Sequence, residues 1–436
     1  MTSAAVRPPG PPRRATPNLL RMLFTDRLAL MSRAASRYGD AVRIAIGPKQ
    51  LYLFNHPDYA KHVLVEANDN YRKGIGLAQA RRALGDGLLT SEGELWRRQR
   101  KAIQPALQQK RIDAQAGVVA AEAGELARRL AARIGGGPVD VAGEVTRMTV
   151  GVLGRMLLHA DLGPAAVLAH HFDAVQDQAM FEAVTLEAIP SWLPLPGQRR
   201  FRAARAALRR LAGQVVDQQG SGVLAEALAG AGGDRAQARD EVITLLLAGH
   251  ETTASTLGWT MAMLDRHPDV AERVRAEAAQ VLGDRLPAAA DLHRLVYTGN
   301  VVQEVMRLYP PVWLLPRVAV AADRIGGYPV PAGADVVVCP YTLHRHPEFW
   351  PDPERFDPDR FEQSRAAGRP RYAYLPFGAG PRFCVGRHLG LMEAVFAVAV
   401  LCRDLRLSVV PGHRLVPEAM LSLRIRGGLP MSVRPA

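Results

Sequence analysis

The stretch Phe377-Gly378-Ala379-Gly380-Pro381-Arg382-Phe383-Cys384-Val385-Gly386 places one of the chain's 3 cysteines on a turn rich in glycine. An apolar run over residues 389–400 follows directly and predicts a helix. A thiolate at the N-terminal end of a helix has a lowered pKa and binds metal ions well. The sequence therefore predicts that Cys384 is a metal ligand with a lowered pKa.

The residues around Cys384 indicate the kind of metal group that its sulfur holds. Gly378 and Gly386 allow the backbone to approach a flat ligand and to offer N–H groups to the sulfur. Phe377 is placed to shield the sulfur from water, and Arg382 offers a charge to an acidic group. Haem has a face for a thiolate, an apolar ring and two propionates for arginine, so we predict haem b (iron protoporphyrin IX). The alternative is a buried structural cysteine on a glycine turn.

The pattern F-x-x-G-x-R-x-C-x-G in residues 377–386 resembles the haem-binding signature of the cytochrome P450 family. The resemblance covers about residues 35–435, because three further motifs follow the family's order. It implies a mainly α protein with a smaller β-rich lobe. It also implies a monooxygenase that inserts one oxygen atom from O2 into a hydrophobic small molecule, with electrons from NAD(P)H through separate redox proteins. Many bacterial members have histidine where this chain has Arg382, and the arginine form resembles fatty-acid and terpenoid hydroxylases.

A predicted helix contains the second motif, Leu245–Thr253, in which glycine and threonine are poor helix formers. The Thr252 hydroxyl is expected to bond to the carbonyl of Ala248 and so to open a groove in the helix. Glu251 adds a titratable group that can relay protons through water. Glu251 and Thr252 resemble the family's acid–alcohol pair, which implies a catalytic role in oxygen activation with Ala248 against the haem. The alternative is a kinked helix with a solvated glutamate.

The third motif, Glu304-x-x-Arg307, puts two opposite charges on one helical face. The resemblance implies a buried structural network of Glu304, Arg307 and Arg355 that braces the cysteine turn.

The fourth motif, Trp96-x-x-x-Arg100, spaces an indole and a guanidinium by one helical turn. The resemblance implies that Trp96 and Arg100 hold a haem propionate, and that Arg317 and Arg382 are further propionate cations. For each arginine the alternative is a surface position.

Apolar residues dominate the segments that contact substrate in the family. The implied pocket consists of Ile75, Leu245, Ala248, Val312, Trp313, Leu314, Met420 and Leu421. Such a pocket holds a hydrophobic substrate by area and shape. The segment 308–315 and Gly326-Gly327-Tyr328 resemble bacterial monooxygenases of secondary metabolism that modify terpenoids. A fatty acid and a polyketide or aromatic product are the alternative substrates.

The 436 residues contain no apolar run of the roughly 18 residues that a membrane helix needs, so we expect a soluble, cytoplasmic protein without a membrane span. Residues 1–34 are predicted to form a first helix preceded by a flexible Pro/Arg-rich leader of about 17 residues. Residues 35–436 are predicted to form a single domain.

Alternating apolar residues predict a hairpin that turns at Gly47–Pro48, and a second hairpin is expected around Gly427–Gly428. Cys339 and Cys402 are predicted to be core residues.

The net charge of +13 comes from 50 arginines and 5 lysines against 42 acidic residues. No nucleic-acid-binding motif accompanies this charge, so no nucleic-acid partner is expected. An acidic redox partner, a ferredoxin or flavodoxin with its reductase, suits the charge better. It would dock near Arg97, Arg98, Lys101 and Arg387.

The alternatives to a monooxygenase are a peroxide-driven peroxygenase, a haem sensor and a nucleic-acid-binding module.

Overall fold

Helices make up most of the chain in a computed structural model that describes residues 7–46, 49–160, 162–185, 189, 193, 195–218 and 234–436. The helices are α1 (Thr16–Thr25), α2 (Arg27–Tyr38), α3 (Pro57–Lys61), α4 (Leu77–Leu84), α5 (Gly93–Ile103), α6 (Gln109–Ala114), α7 (Ala116–Ala131), α8 (Val141–Leu153), α9 (Ala165–Val184), α10 (Pro196–Gln218), α11 (Arg235–Arg266), α12 (Pro268–Leu282), α13 (Val296–Leu308), α14 (Pro340–Leu343), α15 (Gln363–Ala366) and α16 (Arg387–Asp404).

Short strands form small sheets beside the helical body. The strands are β1 (Ala41–Ile46), β2 (Lys49–Phe54), β3 (Tyr71–Lys73), β4 (Val139–Asp140), β5 (Leu315–Ala319), β6 (Asp323–Ile325), β7 (Tyr328–Val330), β8 (Asp335–Val338), β9 (Leu405–Val409), β10 (Pro417–Ala419), β11 (Leu423–Ile425) and β12 (Pro430–Pro435). The largest sheet has the order β1-β2-β8-β5-β3, with only β2 and β8 parallel. In the other sheets β10 pairs with β11, β12 lies between β4 and β9, and β6 pairs with β7. This is the mainly α architecture with a smaller β-rich part that the sequence predicted.

Two hairpin predictions have different outcomes. Strands β1 and β2 pair antiparallel from Ala41 opposite Phe54 to Ile46 opposite Lys49, while Gly47 and Pro48 lie outside the described residues. The hairpin around Gly427–Gly428 is wrong. Its flanking strands belong to different sheets, because β12 pairs with β9 and β11 pairs with β10.

The helical body is organised around α11 and α16, which are apolar on nearly every side and therefore lie inside. The buried residues of α11 extend from Ala238 to Leu264, and those of α16 from Leu389 to Cys402. Both helices pack in one core cluster with α7, α8 and α13. The cysteine turn immediately precedes α16, so this core fixes the position of the turn.

The described part of residues 1–34 contacts the rest of the fold. The carbonyl of Pro9 accepts a hydrogen bond of 2.9 Å from the N–H of Arg43 in β1. Leu19 and Met22 of α1 are buried in a cluster with residues of α2, β1, β2 and β8. These contacts hold the described part of residues 1–34 against the largest sheet. Among the described residues, no helix is long and apolar enough to span a lipid bilayer.

Candidate active site

A cavity of about 480 Å³ connects the cysteine turn with the middle of α11. Its wall is mostly apolar and comes from distant parts of the chain. The lining includes every residue predicted for the substrate pocket: Ile75, Leu245, Ala248, Val312, Trp313, Leu314, Met420 and Leu421. The indole N–H of Trp313 donates to the carbonyl of Met420 at 2.8 Å and ties two of these segments together.

Short backbone contacts hold the cysteine turn at one side of the cavity. The N–H of Cys384 donates to the carbonyl of Phe377 at 3.0 Å. Gly380 has a φ of +68°, and a Cβ at this position would lie 2.0 Å from the carbonyl oxygen of Leu64. Both facts require glycine here. The Cys384 sulfur is open to the cavity, and Phe377, Gly378 and Gly386 line the cavity beside it.

The surroundings of Cys384 act on the pKa of its thiol in opposite directions. Burial among protein atoms raises the pKa of the thiol, because it disfavours the charged thiolate. The N–H of Gly386 and the charges of Arg100 and Arg387 lower the pKa, but their effect is smaller than that of burial. A metal cation at the sulfur would supply the missing positive charge, since a coordinating thiol is deprotonated outright.

The four predicted propionate residues meet at one edge of the cavity. Arg100 of α5 donates to the carbonyl of Phe383 at 2.6 Å. Arg317 of β5 is 6% exposed, donates to Pro316 at 2.9 Å, and has no described partner for its Nε. Burial lowers the pKa of Arg317 to about 10, and the nearby Arg382 charge adds to this effect. The guanidinium carbon of Arg382 lies 5.2 Å from the centre of the Trp96 ring.

Arg382 has a protein partner that the sequence did not indicate. The Glu92 carboxylate accepts from both terminal nitrogens of Arg382, at 2.8 and 2.5 Å, while Nε has no partner in the described part of the chain. Glu92 precedes α5 and lies 290 positions from Arg382. Arg382 is therefore paired with Glu92, and its Nε is left without a partner among the described residues.

Lys73 is a further cation at this edge that sequence reasoning missed. It pairs with Arg317 in the register of β3 and β5 and lines the cavity. Its Nζ donates to the carbonyls of Leu88 and Ser91 at 2.9 and 2.7 Å. Burial lowers the pKa of Lys73 to about 7, and the charge of Arg382 adds to this effect. In the sequence, only the alternation of side chains along the short strand β3 could have placed Lys73 on the cavity side. The strand has three residues and its partner strand was unknown, so this signal was too weak to use.

The cations outnumber the carboxylates at this edge. Lys73, Arg100, Arg317 and Arg382 are opposed by Glu92 and, near Lys73, by Glu241. Buried charges are stable when they are paired, so the excess positive charge favours a ligand with carboxylate groups. A flat apolar group with two propionates, lying between the Cys384 sulfur and Ala248, satisfies this demand and the apolar wall. The residues present thus fit haem.

Helix α11 contains the predicted bond from threonine to the backbone without a break in the helix. The Thr252 hydroxyl donates to the Ala248 carbonyl at 3.0 Å, and α11 is continuous from Arg235 to Arg266. A Cβ on Gly249 would lie 2.7 Å from Cδ2 of Leu153. Gly249 therefore allows α8 to pack closely against α11.

Glu251 and Thr252 line the same cavity but do not bond to each other within the described residues. The Glu251 carboxylate accepts from Nε2 of Gln176, which lies 2.8 Å from both of its oxygens. It also accepts from the Ser422 hydroxyl at 2.6 Å. The His250 side chain does not line the cavity. It packs against Phe172, and burial lowers its pKa.

The buried charge network contains Arg360 in place of Arg355. Glu304 and Arg307 are fully buried and joined by two hydrogen bonds of 2.7 and 2.8 Å. Arg355 contributes only its carbonyl to Arg307, at 3.1 Å, because its side chain points to solvent from a turn. Arg360 is 4% exposed, and its Nε lies 3.5 Å from a Glu304 oxygen. The prediction of Arg355 as the third charge is wrong.

Comparison with known proteins gives a consistent result over nearly the whole chain. The family model described as Cytochrome P450 matches residues 8–427. Cyclooctatin synthase of Streptomyces melanosporofaciens is 37% identical over 401 residues, 88% of this chain and 87% of its own length. The cyclooctat-9-en-7-ol 5-monooxygenase of the same organism is 36% identical over 412 residues, 91% of this chain and 89% of its own. Pentalenene oxygenase of Streptomyces avermitilis is 30% identical over 402 residues, 89% of this chain and 88% of its own.

Proposed function

This chain belongs to the cytochrome P450 family and is a haem-dependent monooxygenase, and we propose that its substrate is a terpenoid and that Cys384 ligates the haem iron. The cavity carries the substrate proposal, because its wall is apolar and joins the cysteine turn to α11. Two relatives are named for the terpenoids cyclooctat-9-en-7-ol and pentalenene. The cavity wall also contains Arg27 and Lys49, which are the cations available to the carboxylate of a fatty acid, the alternative substrate.

Bound haem activates O2 with electrons from NAD(P)H, so that one oxygen atom enters the substrate and the other leaves as water. The protein's part is to hold haem and keep water away. The Cys384 sulfur would bind the haem iron, with Phe377, Gly378 and Gly386 around it. Trp96, Arg100, Arg317, Lys73 and Arg382 would hold the propionates.

The apolar wall holds the substrate by buried area, and the fixed pair of Trp313 and Met420 limits its possible orientations. The small side chain of Ala248 would leave space for O2 and substrate beside bound haem. Thr252 and Glu251 hold and transfer protons on this side, with the Thr252 hydroxyl released from Ala248 when it donates. Thr252→Ala is therefore expected to consume NAD(P)H and release peroxide with little product.

Redox partners deliver the electrons, and we assign this role to an acidic ferredoxin with its reductase. Arg98, Lys101 and Arg387 are exposed at the cysteine side of the molecule and supply positive charge. Complementary charge accelerates such short-lived encounters.

The first experiment is a titration of the purified holoprotein with terpenes, terpene alcohols, fatty acids and aromatic polyketides, followed by the haem Soret band. A saturable low-spin to high-spin change with terpenoids alone is the expected result. A response to fatty acids only would refute the terpenoid assignment. Cys384→Ser is expected to lose the spectrum of thiolate-ligated haem, and retention of that spectrum would refute Cys384 as the ligand.

A further inference from the structure

The turn between β10 and β11, residues 420–422, has two different roles at the cavity. Met420 and Leu421 present apolar side chains to it. Ser422 is 4% exposed and donates its hydroxyl to the Glu251 carboxylate at 2.6 Å. A substrate that packs on Met420 and Leu421 therefore lies against the same short turn that holds Glu251.

The backbone of this turn is held by bonds that do not involve the Ser422 hydroxyl. The Leu423 N–H donates to the Pro311 carbonyl at 2.8 Å, and the Met420 N–H to the Ser422 carbonyl at 2.9 Å. Arg27 donates to the Ala419 carbonyl at 2.6 Å. Ser255 of α11 donates to the Leu423 carbonyl. The hydroxyl is thus not needed for the shape of the turn.

A buried hydroxyl in an apolar wall is costly unless it is hydrogen-bonded, and among the described residues its partner is Glu251. One carboxylate oxygen accepts from both Ser422 and Gln176, and the other accepts from Gln176 alone. Bonds from two separate elements restrict the rotation of the Glu251 side chain. Loss of either bond leaves the carboxylate free to rotate about the other.

We propose that Ser422 is a positioning residue, which orients the Glu251 carboxylate and links the substrate-contacting turn to the proton relay. The inference rests on the proposed role of Glu251 in proton transfer. Because bonds to its backbone fix the turn, Ser422 holds the carboxylate in one orientation directly beside the substrate-contacting surface of Met420 and Leu421.

The test compares Ser422→Ala with Ser255→Ala in the holoprotein. Ser255→Ala is the matched control, because it removes a bond between the same helix and Leu423, the residue after the turn, without touching Glu251. The probe is the terpenoid that gives the largest spin-state change in the panel above. For Ser422→Ala we expect unchanged probe affinity and unfolding temperature, and a fall of about three- to tenfold in product per NAD(P)H. The solvent deuterium isotope effect on product formation is expected to rise, and Ser422→Thr is expected to restore coupling.

An infrared measurement tests the contact without any substrate. The carboxylate stretching band should shift in the difference spectrum of Ser422→Ala against the unaltered protein, and not in that of Ser255→Ala. No band shift together with unchanged coupling in Ser422→Ala would overturn the proposal.

The variant Glu251→Gln separates this inference from the proposed function. If Glu251→Gln loses coupling and Ser422→Ala does not, the positioning role fails and the relay stands. If Glu251→Gln itself retains coupling, the relay assignment fails. If Ser422 acts through Glu251, the double variant is expected to behave like Glu251→Gln alone, because residues in one network are not additive. Additive losses would contradict the proposed route through Glu251.

Discussion

Glu304 and Arg307 form a residue pair whose burial makes it sensitive to the loss of one partner. Both side chains are fully buried. Replacing Glu304 by alanine leaves the Arg307 guanidinium buried without its carboxylate, which costs about 3–5 kcal/mol. We expect Glu304→Ala to lower the free energy of unfolding by this amount in urea denaturation, with loss of haem from the purified protein.

Two arginine variants test which residue is the third charge of this network. The sequence predicted Arg355, whereas the structure has Arg360 there. Arg360→Ala is expected to be destabilising, because it removes a buried charge beside Glu304. Arg355→Ala is expected to change the unfolding free energy by less than about 0.5 kcal/mol, because its side chain is exposed. The reverse order of these two variants would contradict the network with Arg360.

His344 predicts a specific pH dependence of stability. It is fully buried, its Nε2 accepts from the Leu375 N–H at 2.8 Å, and burial with the Arg307 charge lowers its pKa to about 3. The unfolded chain binds a proton at His344 below about pH 6.5 and the folded chain does not. The stability from neutral His344 is therefore present above about pH 6.5 and is lost as pH falls toward 3, by about 1.4 kcal/mol per unit.

The measurement is urea unfolding at pH 7 and pH 5.5. His344→Gln keeps an acceptor for Leu375 and should show a weaker loss of stability between these pH values. His293→Gln replaces an exposed histidine and should retain the dependence of the unaltered protein. Equal pH dependence in all three proteins would refute the assignment to His344.

At the scale of elements, the contact between α8 and α11 depends on one glycine. A Cβ on Gly249 would lie 2.7 Å from Leu153, whereas a Cβ on Gly258 of the same helix would lie 3.8 Å from Ile425. Overpacking costs about 1–3 kcal/mol, and glycine inside a helix costs about 1 kcal/mol relative to alanine. We expect Gly249→Ala to destabilise the protein and Gly258→Ala to stabilise it slightly, as measured by thermal unfolding. A stabilising Gly249→Ala would show that α8 and α11 can separate without cost.

The elements also explain why the cysteine turn could be predicted and its electrostatics could not. Residues 377–386 are adjacent in the chain, and their turn depends mainly on local glycines and on the helix that follows. The pKa of Cys384 depends on how much protein surrounds the sulfur and on the charges of Arg100 in α5 and Arg387 in α16, which come from distant parts of the chain.

At the scale of the whole molecule, the net charge of +13 predicts how electrons arrive. Arg98 and Lys101 are exposed on α5, while Arg97 is paired with Glu94 and Asp69. The rate of reduction by an acidic ferredoxin should fall as salt rises, because screening weakens long-range attraction.

The variants for this prediction separate local charge from total charge. Arg98→Ala and Lys101→Ala together should lower the reduction rate at low salt by about three- to tenfold, read by stopped-flow absorbance. Arg21→Ala and Arg37→Ala together remove two exposed charges, from α1 and α2, and should have little effect. Equal effects of both changes would assign the attraction to net charge rather than to the α5 surface.

The sequence by itself determined the features that depend on neighbouring residues. The cysteine turn, the Thr252 bond to Ala248 and the pairing of Glu304 with Arg307 each join residues within a few positions, so local geometry predicts them. The apolar pocket residues were also predictable, through the family resemblance. Only the tertiary structure decided the partners of these groups: Glu92 for Arg382, Arg360 for Glu304, and Gln176 and Ser422 for Glu251. Ser422 lies 171 positions from Glu251, and such contacts follow from how helices and turns pack, which neither periodicity nor spacing specifies.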